Sequence, residues 1–511
     1  MTNISENNKR IAKNTLLLYA RMMLMMFISL FTSRIVLQAL GVDDYGIYNV
    51  VGGVVAMFSI LSSALNAAIV RFISVELGKS DKQRLNLVFC TSVSTQLILI
   101  GIIVLLLETI GLWFLNFKLV IPTDRLVAAN WVFQFSVLTF ALNMWSIPYN
   151  SAITAHEKMN AFAYVSIFES LAKLAVAYLI LIYSYDKLVL YALLLCIVSM
   201  IVRLIYGIYC KRNFEECKFR FRTDKGLLKE MFGFAGWNFI GASSTIIREQ
   251  GSNILLNLFF GPAVNAAKGL AVTVNAAITG FSGNFMTAVN PQIYKSYSSG
   301  ERDYTMKLVF QSTRLSYYIF ILIGLPIIAT APYLLNLWLE NVPEHTVNFV
   351  RLVIIFSMSE SLAGPLLTLN YATGNIKTYQ LIGALQILNI PVTYLFLHLS
   401  FPPEVAYLVS IAISVICEFA RLIILKKTAK LNVSAFLKDV YMNVIIVTTI
   451  AGLGCYFAVL PIGNSTFLQF IASLIVCVLI SMCSIYIFGL SLNDRAFIKA
   501  QIKKIIKTHK L

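Results

Sequence analysis

The sequence predicts an all-α integral membrane protein with about fourteen transmembrane helices. Hydrophobic residues make up 58% of the 511 residues, against roughly 45–50% in soluble domains, and the mean hydropathy is +0.78. Apolar stretches long enough to cross a hydrocarbon core of about 30 Å follow one another with little polar sequence between them. A segment inside the bilayer must satisfy its own backbone hydrogen bonds, and the alternating pattern of barrel strands is not seen, so each stretch is predicted to be a helix.

The predicted helices run from residue 14 to residue 490. They occupy residues 14–38, 46–70, 85–114, 127–151, 161–184, 188–210, 231–257, 264–289, 307–331, 349–372, 379–398, 404–425, 439–461 and 466–490. The first stretch is too long for a signal peptide, contains Arg21 and Arg34, and lacks a clean small-residue cleavage site. We therefore expect it to stay in the protein as its first helix.

The chain matches itself weakly at an offset of about 220 residues. This offset places Gly41, in LGVDDYGIY, on Gly261, in GPAVNAAKGL, and it places RFISVELGKSD at 71–81 on PQIYKSYSSGE at 291–301. The predicted result is two six-helix lobes of the same orientation, and such parallel repeats commonly enclose a cavity that opens to alternate sides of the membrane. The alternative is a simple duplication with a filled cavity.

The repeat also predicts the domain boundaries. The predicted segments are an N-terminal lobe at 1–210, a basic cytoplasmic linker at 211–230, a C-terminal lobe at 231–430, two further helices at 431–490 and a basic cytoplasmic tail at 491–511.

The basic residues predict the orientation. The net charge is +17, and of the 41 lysines and arginines about 29 fall at the N-terminus, in every second loop and in the tail. About four fall on the other side: Lys118, Arg125, Lys187 and Arg351. Both termini are therefore predicted to be cytoplasmic, and the basic segments are topology anchors or contacts with anionic membrane lipids rather than a nucleic-acid surface.

Motifs for enzyme chemistry or metal binding are not seen. The eight cysteines form no CxxC pair, and the four histidines are scattered along the chain. The string Gly78-Lys79-Ser80 resembles the end of a phosphate-binding loop, but Ile73 stands where that loop needs a glycine. The sequence thus predicts a transporter, with no cofactor and no metal site, that is not driven directly by ATP.

Ionisable residues at bilayer depth are rare without a pathway, a partner or a ligand. At bilayer depth the predicted helices hold four acidic residues, Glu169, Glu249, Glu360 and Glu418, with Glu108 near an outer end, and these eight basic ones: Arg21, Arg34, Lys173, Arg203, Arg248, Lys268, Arg314 and Arg421. This excess of positive charge predicts a cationic cavity and an anionic substrate. Guanidinium groups match the geometry of phosphate, so a phosphate or pyrophosphate is the expected anion.

Some of these charges can be explained without a ligand. Glu169 with Lys173, and Glu418 with Arg421, have the spacing of ion pairs on one helix face. Lys268, Arg203 and Arg421 lie near predicted helix ends, where long side chains can reach the headgroups.

Three arginines have no such explanation, because Arg21 and Arg34 lack an acidic residue one turn away and Glu249 should point about 100° away from Arg248. We predict that the cationic cavity contains Arg21, Arg34, Arg248, Lys173 and Lys268.

Amide and carboxylate side chains complete the predicted site. Asn238, Gln250 and Asn253 fall in one predicted helix rich in small residues, where they can either pack between helices or bond to a sugar. The candidates for ion coupling are Glu169, Glu249 and Glu360.

Four segments carry a resemblance to a known family. LGVDDYGIY, the stretch NVVGGVVAMFSILSSALNAAIVRFISVELGKSD, GPAVNAAKGL and NPQIYKSYSSGE resemble the Wzx-type flippases of O-antigen and capsule biosynthesis. That family belongs to the MOP superfamily, together with MATE-type multidrug exporters and lipid II flippases. The resemblance implies two six-helix lobes in a V, two added C-terminal helices and a bacterial inner-membrane location.

The resemblance also implies a function. Such a protein would move undecaprenyl-diphosphate-linked oligosaccharide from the cytoplasmic to the periplasmic leaflet by alternating access, coupled to a proton or sodium gradient, for surface polysaccharides such as lipopolysaccharide O-antigen. Other polysaccharide-assembly proteins are its expected partners. The alternative is an ion-coupled exporter of drugs or metabolites of the MATE type. A membrane polymerase or ligase is disfavoured, because the longest outer loop, 332–346, offers few catalytic groups.

Overall fold

The computed structural model describes most of the chain, and nearly all of the part it describes is helical. The described residues are 2–59, 66, 69–70, 72–74, 76–77, 82–156, 158–183, 186–220, 223–373, 381–463, 465–490 and 495. Within them, the side chains of 2–22, 159–160, 162, 232–242, 287–288, 291 and 295 are not described. The prediction of an all-α protein is confirmed for these residues, in which no strand occurs.

Sixteen α-helices make up the described chain. The first eight are α1 (Thr2–Ala56), α2 (Lys82–Leu106), α3 (Leu112–Phe117), α4 (Leu126–Ala155), α5 (Met159–Ile182), α6 (Lys187–Asn213), α7 (Lys225–Phe260) and α8 (Pro262–Ser298). The others are α9 (Arg302–Trp338), α10 (Thr346–Ser361), α11 (Ala363–Thr373), α12 (Asn389–His398), α13 (Val405–Thr428), α14 (Val433–Phe436), α15 (Asn443–Ile462) and α16 (Phe467–Ser484). Wider π-helical turns follow α2, α14 and α16 at Leu107–Gly111, Leu437–Met442 and Ile485–Gly489.

Eleven helical segments in the described residues are long and apolar enough to cross a membrane. They include Lys82–Phe117, which joins α2 to α3 through a π-helical turn, and Leu381–His398, which ends with α12. Helices α7 and α8 are not among the eleven, although they are 36 and 37 residues long. A multi-pass membrane protein is confirmed, and the number fourteen stays a prediction.

Two glycines break the helices in the same way. Gly41 interrupts α1 with φ 78° and ψ 174°, and Gly261 separates α7 from α8 with φ 77° and ψ −173°. An L-residue rarely adopts positive φ with ψ near 180°, so glycine is required at both turns. These are the two positions that the sequence offset places on one another, and their matching backbone supports that register.

Contacts divide the chain into two compact units. Unit 1 comprises Met1–Thr273, Pro343–Thr346 and Gly383–Ala406. Unit 2 comprises Val274–Val342, Val347–Ile382 and Tyr407–Leu511. The predicted lobe boundaries, which follow helix number rather than contact, stay a prediction.

Each unit has its own apolar core. In unit 1, α4 packs against α6, and α5 packs against α1 and α6, around fully buried residues such as Phe89 and Phe133. In unit 2, α9 packs against α15 and α16. There the Tyr318 hydroxyl bonds to Asn443 Oδ1 at 3.1 Å and to the Gly489 carbonyl at 3.3 Å. The two C-terminal helices are therefore an integral part of unit 2.

Candidate functional site

A buried arginine lies where α7 meets the segment that leads into α12, within unit 1. Arg248 is only 6% exposed. Its Nη1 donates to Gln386 Oε1 at 2.9 Å, and its Nη2 lies 3.5 Å from Glu249 Oε1. Gly251, one turn further along α7, has no room for a Cβ beside Ile390, so glycine permits this close approach. The guanidinium is thus held between two polypeptide segments that are far apart in sequence.

A buried lysine lies next to it. Lys268 on α8 is 7% exposed, and its Nζ donates to the backbone carbonyl of Glu249 at 2.9 Å. Lys268 therefore contacts the main chain of Glu249, and Arg248 contacts its carboxylate. The Glu249 side chain is 60% exposed. Two buried basic side chains thus lie beside one acidic residue.

An amide network on the same two helices connects α7 and α8 to α1. Asn253 donates to the Asn49 carbonyl at 3.2 Å, and Asn265 Nδ2 donates to the Asn253 carbonyl and Oδ1 at 2.7 and 2.8 Å. A Cβ on Gly53 would lie 2.6 Å from Gln250 Oε1 and 2.8 Å from Asn253 Nδ2. Glycine at 53 therefore lets both amides reach α1.

The cluster can hold an anion. Basic side chains inside a membrane protein attract anionic groups, and Arg248 and Lys268 lie together beside the exposed Glu249 side chain. The neighbouring Gln250 amide can donate and accept hydrogen bonds. We name the set Arg248, Glu249, Gln250, Asn253 and Lys268 the α7–α8 cluster.

The remaining predicted residues lie apart from the α7–α8 cluster or outside the described part. Lys173 Nζ pairs with Glu169 Oε1 at 2.6 Å on α5, as predicted, and Arg34 is partly buried on α1. The side chains of Arg21 and Asn238 lie outside the described residues.

Glu360 belongs to a second polar group, in unit 2. It accepts a hydrogen bond from Ser414 Oγ at 2.5 Å. Ser414 lies one turn before Glu418, which pairs with Arg421 at 2.7 Å, as the spacing of these two residues predicted. This carboxylate and the α7–α8 cluster therefore belong to different units.

Two expectations about the charges were wrong. Glu249 does not diverge from Arg248, because a long guanidinium side chain can bend toward the neighbouring residue. Lys268, Arg203 and Arg421 do not reach for headgroups, since each is 7% exposed. The reason is that each has a partner within the protein: for Arg203, the faces of Trp145 and Tyr149 at 4.3 and 4.0 Å offer a cation–π site.

The sequence reading missed three amides of this site: Asn49, Asn265 and Gln386. Asn49 lies two turns after the helix break at Gly41, and Asn265 lies one turn after the break at Gly261. Gln386 is the polar residue in the apolar run ALQIL. A search for single amides at bilayer depth, and not only for charges, could have found them.

Comparisons with known proteins agree with this fold. Residues 11–297 match the model of a family described as polysaccharide biosynthesis protein. The uncharacterized membrane protein EpsK of Bacillus subtilis (strain 168) is 19% identical over 299 residues, which span 58% of this chain and 58% of that protein. This chain therefore matches less than two thirds of that relative's length.

Solved structures share the fold over most of its length. The lipid II flippase MurJ in an inward closed conformation superposes with a TM-score of 0.70 at 12% identity, covering 93% of this chain and 98% of that one. An inward-facing MATE family multidrug resistance transporter of the MOP superfamily gives a TM-score of 0.60 at 15% identity, covering 80% and 96%. At these identities, the likeness is one of fold.

Proposed function

Because this chain belongs to the polysaccharide biosynthesis protein family, we propose that it is a flippase for a lipid-linked saccharide. The proposed substrate is undecaprenyl-diphosphate-linked oligosaccharide, moved from the cytoplasmic to the periplasmic leaflet of the bacterial inner membrane by alternating access. Both termini are proposed to be cytoplasmic. Membrane lipids and other polysaccharide-assembly proteins are its proposed partners.

The observation that carries this proposal is the pair of buried cations in the α7–α8 cluster. Pyrophosphate presents several acceptor oxygens, and guanidinium and ammonium groups bind them with charge-assisted hydrogen bonds. In the proposed complex, the diphosphate takes the place of the exposed Glu249 carboxylate beside Arg248, and the amides of Gln250 and Asn253 bond to the sugar. Arg21, Arg34 and Lys173 are proposed as further cations along the path.

Ion coupling is a separate part of the proposal. Glu249 is the first candidate for it, because its exposed carboxylate lies beside Arg248, where the substrate is proposed to bind. Glu169 and Glu360 remain candidates for the same role, and a proton or sodium gradient is the proposed driving force.

The test is complementation of a strain that lacks this protein. Arg248→Gln combined with Lys268→Gln should lower surface polysaccharide at least about tenfold, since each lost charge-assisted bond contributes about 1.5–3 kcal/mol. Lipid-linked glycan should accumulate in the cytoplasmic leaflet. Arg203→Gln is the matched control, because it removes an equally buried arginine of unit 1 that contacts aromatic rings outside the cluster. Normal surface polysaccharide in the double variant, at equal protein level, would exclude the proposed role of the cluster.

A second candidate is an exporter of cationic drugs, favoured by the likeness to a MATE transporter and by the exposed Glu249 carboxylate. It predicts efflux of a cationic dye that Glu249→Gln or Glu169→Gln abolishes, with surface polysaccharide unchanged in the deletion strain.

A further inference from the structure

A π-helical turn lies within the helical span Lys82–Phe117. It covers Leu107–Gly111, and α3 continues from it without a break. At Gly111 a Cβ would lie 2.8 Å from Phe133 Cζ, so glycine lets this turn approach α4 closely. Such turns insert an extra residue into a helix and occur frequently at functional sites.

The turn brings two polar residues to the same face. Glu108 and Asn116 are eight residues apart, which in a regular α-helix would separate them by about 80° around the axis. Here both face α4: Gln134 Nε2 donates to Glu108 Oε2 at 2.9 Å, and Asn116 exchanges side-chain hydrogen bonds with Asn130 at 3.1 and 2.9 Å. The wider turn thus aligns a carboxylate and an amide with partners one turn apart on α4.

The two polar contacts differ in how completely they are satisfied. Asn116 and Asn130 also donate to the carbonyls of Leu112 and Leu126, each at 2.9 Å, so the amide pair is closed on itself. Glu108 accepts one hydrogen bond, from Gln134, and among the described residues no lysine, arginine or histidine forms an ion pair with it. The carboxylate has capacity for a further donor.

Glu108 lies within an apolar helical span and is partly exposed on its surface. It precedes the helix end at Phe117 by nine residues, or about 14 Å along the axis. Apolar side chains of the same two helices are exposed: Leu105, Ile110, Trp113, Trp131 and Leu138 are 51–64% exposed. An exposed apolar surface of this kind faces acyl chains.

We propose that Glu108 and Gln134 form a docking site for a transmembrane helix of another membrane protein that carries a lysine or arginine at the depth of Glu108. A carboxylate at this depth is costly alone and is stabilised by a cation, and hydrogen bonds between polar side chains join helices in lipid. A second copy of this chain is the less suitable occupant, because two-fold pairing through this face would bring one Glu108 toward the other. The site is independent of the α7–α8 cluster.

The test uses the full chain, labelled with a fluorescent donor, in lipid bilayers with acceptor-labelled synthetic helices. One peptide is a leucine-rich transmembrane helix with a single lysine nine residues from one end of its apolar stretch, and its matched controls have leucine or glutamate at that position. The lysine peptide should associate at least about tenfold more tightly than the leucine peptide. Glu108→Gln should remove this difference, and Glu108→Lys should transfer the preference to the glutamate peptide. Equal association of the lysine and leucine peptides with the wild-type chain would overturn the proposal.

Two further measurements separate the site from a merely structural pair. Asn116→Leu combined with Asn130→Leu removes the closed amide pair and should leave the preference for the lysine peptide intact. Energy transfer between differently labelled copies of the chain that disappears in Glu108→Gln would instead identify a second copy as the occupant, and would overturn the assignment to another protein.

Discussion

Arg125 joins three segments of unit 1 through its guanidinium. It lies 2.5 Å from Asp44 Oδ2 on α1 and 2.7 Å from Asp186 Oδ2, which precedes α6. Asp186 also accepts from the backbone amides of Leu188 and Val189 and so caps α6. Partial burial alone would raise the pKa of Asp186, but the hydrogen bonds from Arg125 and from these amides outweigh it and lower the pKa below its usual value.

This lowered pKa predicts a pH-dependent stability. A carboxyl group whose pKa is lower in the folded state stabilises it fully above the unfolded-state pKa, about 4, and this stabilisation is lost as the pH falls through the folded-state value. Asp186→Asn should therefore lower the unfolding temperature of the detergent-solubilised protein at pH 7, and the difference from wild type should shrink below about pH 4.

Asp124→Asn is the control for that measurement. Asp124 is an exposed carboxylate next to Arg125, and no ion pair involves it among the described residues. It should leave the unfolding temperature unchanged at both pH values, and a constant difference between wild type and Asp186→Asn from pH 7 to pH 3 would contradict the assignment.

At the scale of residues, the sequence could predict ion pairs only between residues that lie one turn apart on the same helix. The spacing of Glu169 with Lys173 predicted an ion pair that the structure contains. In contrast, Arg248 bonds to Gln386, 138 residues away, and Arg203 stacks on Trp145 of another helix. Helix periodicity has no information about such partners, and for this reason the burial of Arg203 and Lys268 was not foreseen.

At the scale of elements, α1 and α8 approach each other through glycines. A Cβ on Gly46 would collide with the backbone of Pro262, and a Cβ on Gly269 would lie 2.7–2.9 Å from the Asn49 side chain. Small residues at such crossings allow the backbones to come close, which is how helices pack in lipid.

This crossing predicts opposite effects for two similar substitutions. Gly46→Ala should destabilise the protein by about 1–3 kcal/mol, because the backbones of α1 and α8 must separate. Gly52→Ala, six residues along the same helix and with nothing within 4 Å of its Cβ, should be neutral or stabilising by up to about 1 kcal/mol, because alanine favours the helix. The unfolding temperatures of the purified variants measure both, and equal values would refute the close crossing.

Hydropathy predicted most of the helices. The predicted gap between 38 and 46 contains Gly41, where α1 breaks, and the offset of about 220 residues foresaw that Gly261 is its counterpart. The three π-helical turns were not predicted. Sequence periodicity is averaged over several helical turns, so it does not detect one inserted residue. The position of such a residue, as at Leu107–Gly111, depends on packing against a neighbouring helix.

For the whole molecule, the distribution of basic residues predicts which ends face the cytoplasm. Lys118 and Arg212 are both exposed, and they lie in loops predicted to be on opposite sides. A membrane-impermeant maleimide should label Lys118→Cys in intact cells, and it should label Arg212→Cys only after the cells are permeabilised.

The native chain is the control for this labelling, since seven of its eight cysteines are buried and Cys483 is exposed. Labelling of Arg212→Cys in intact cells, with Lys118→Cys protected, would reverse the proposed orientation.

Composition predicted an all-α membrane protein, but it did not predict how the helices group into two units. Residues Gly383–Ala406 belong to unit 1 although the neighbouring segments on both sides belong to unit 2. This segment packs against α7, and Arg248 donates to Gln386 across that contact. Such a grouping depends on which helix faces meet in space, and the order of apolar segments along the chain does not contain that information.

The matching turns at Gly41 and Gly261 have a stereochemical consequence. Reflecting φ 78° and ψ 174° gives angles near −78° and −174°, which an ordinary L-residue adopts in an extended chain. At each turn, the backbone of this L-protein therefore has dihedral angles that are ordinary for a D-residue. A D-alanine introduced by chemical synthesis at either position would fit where L-alanine is strained, and handedness, rather than size or polarity, is the property that both turns select.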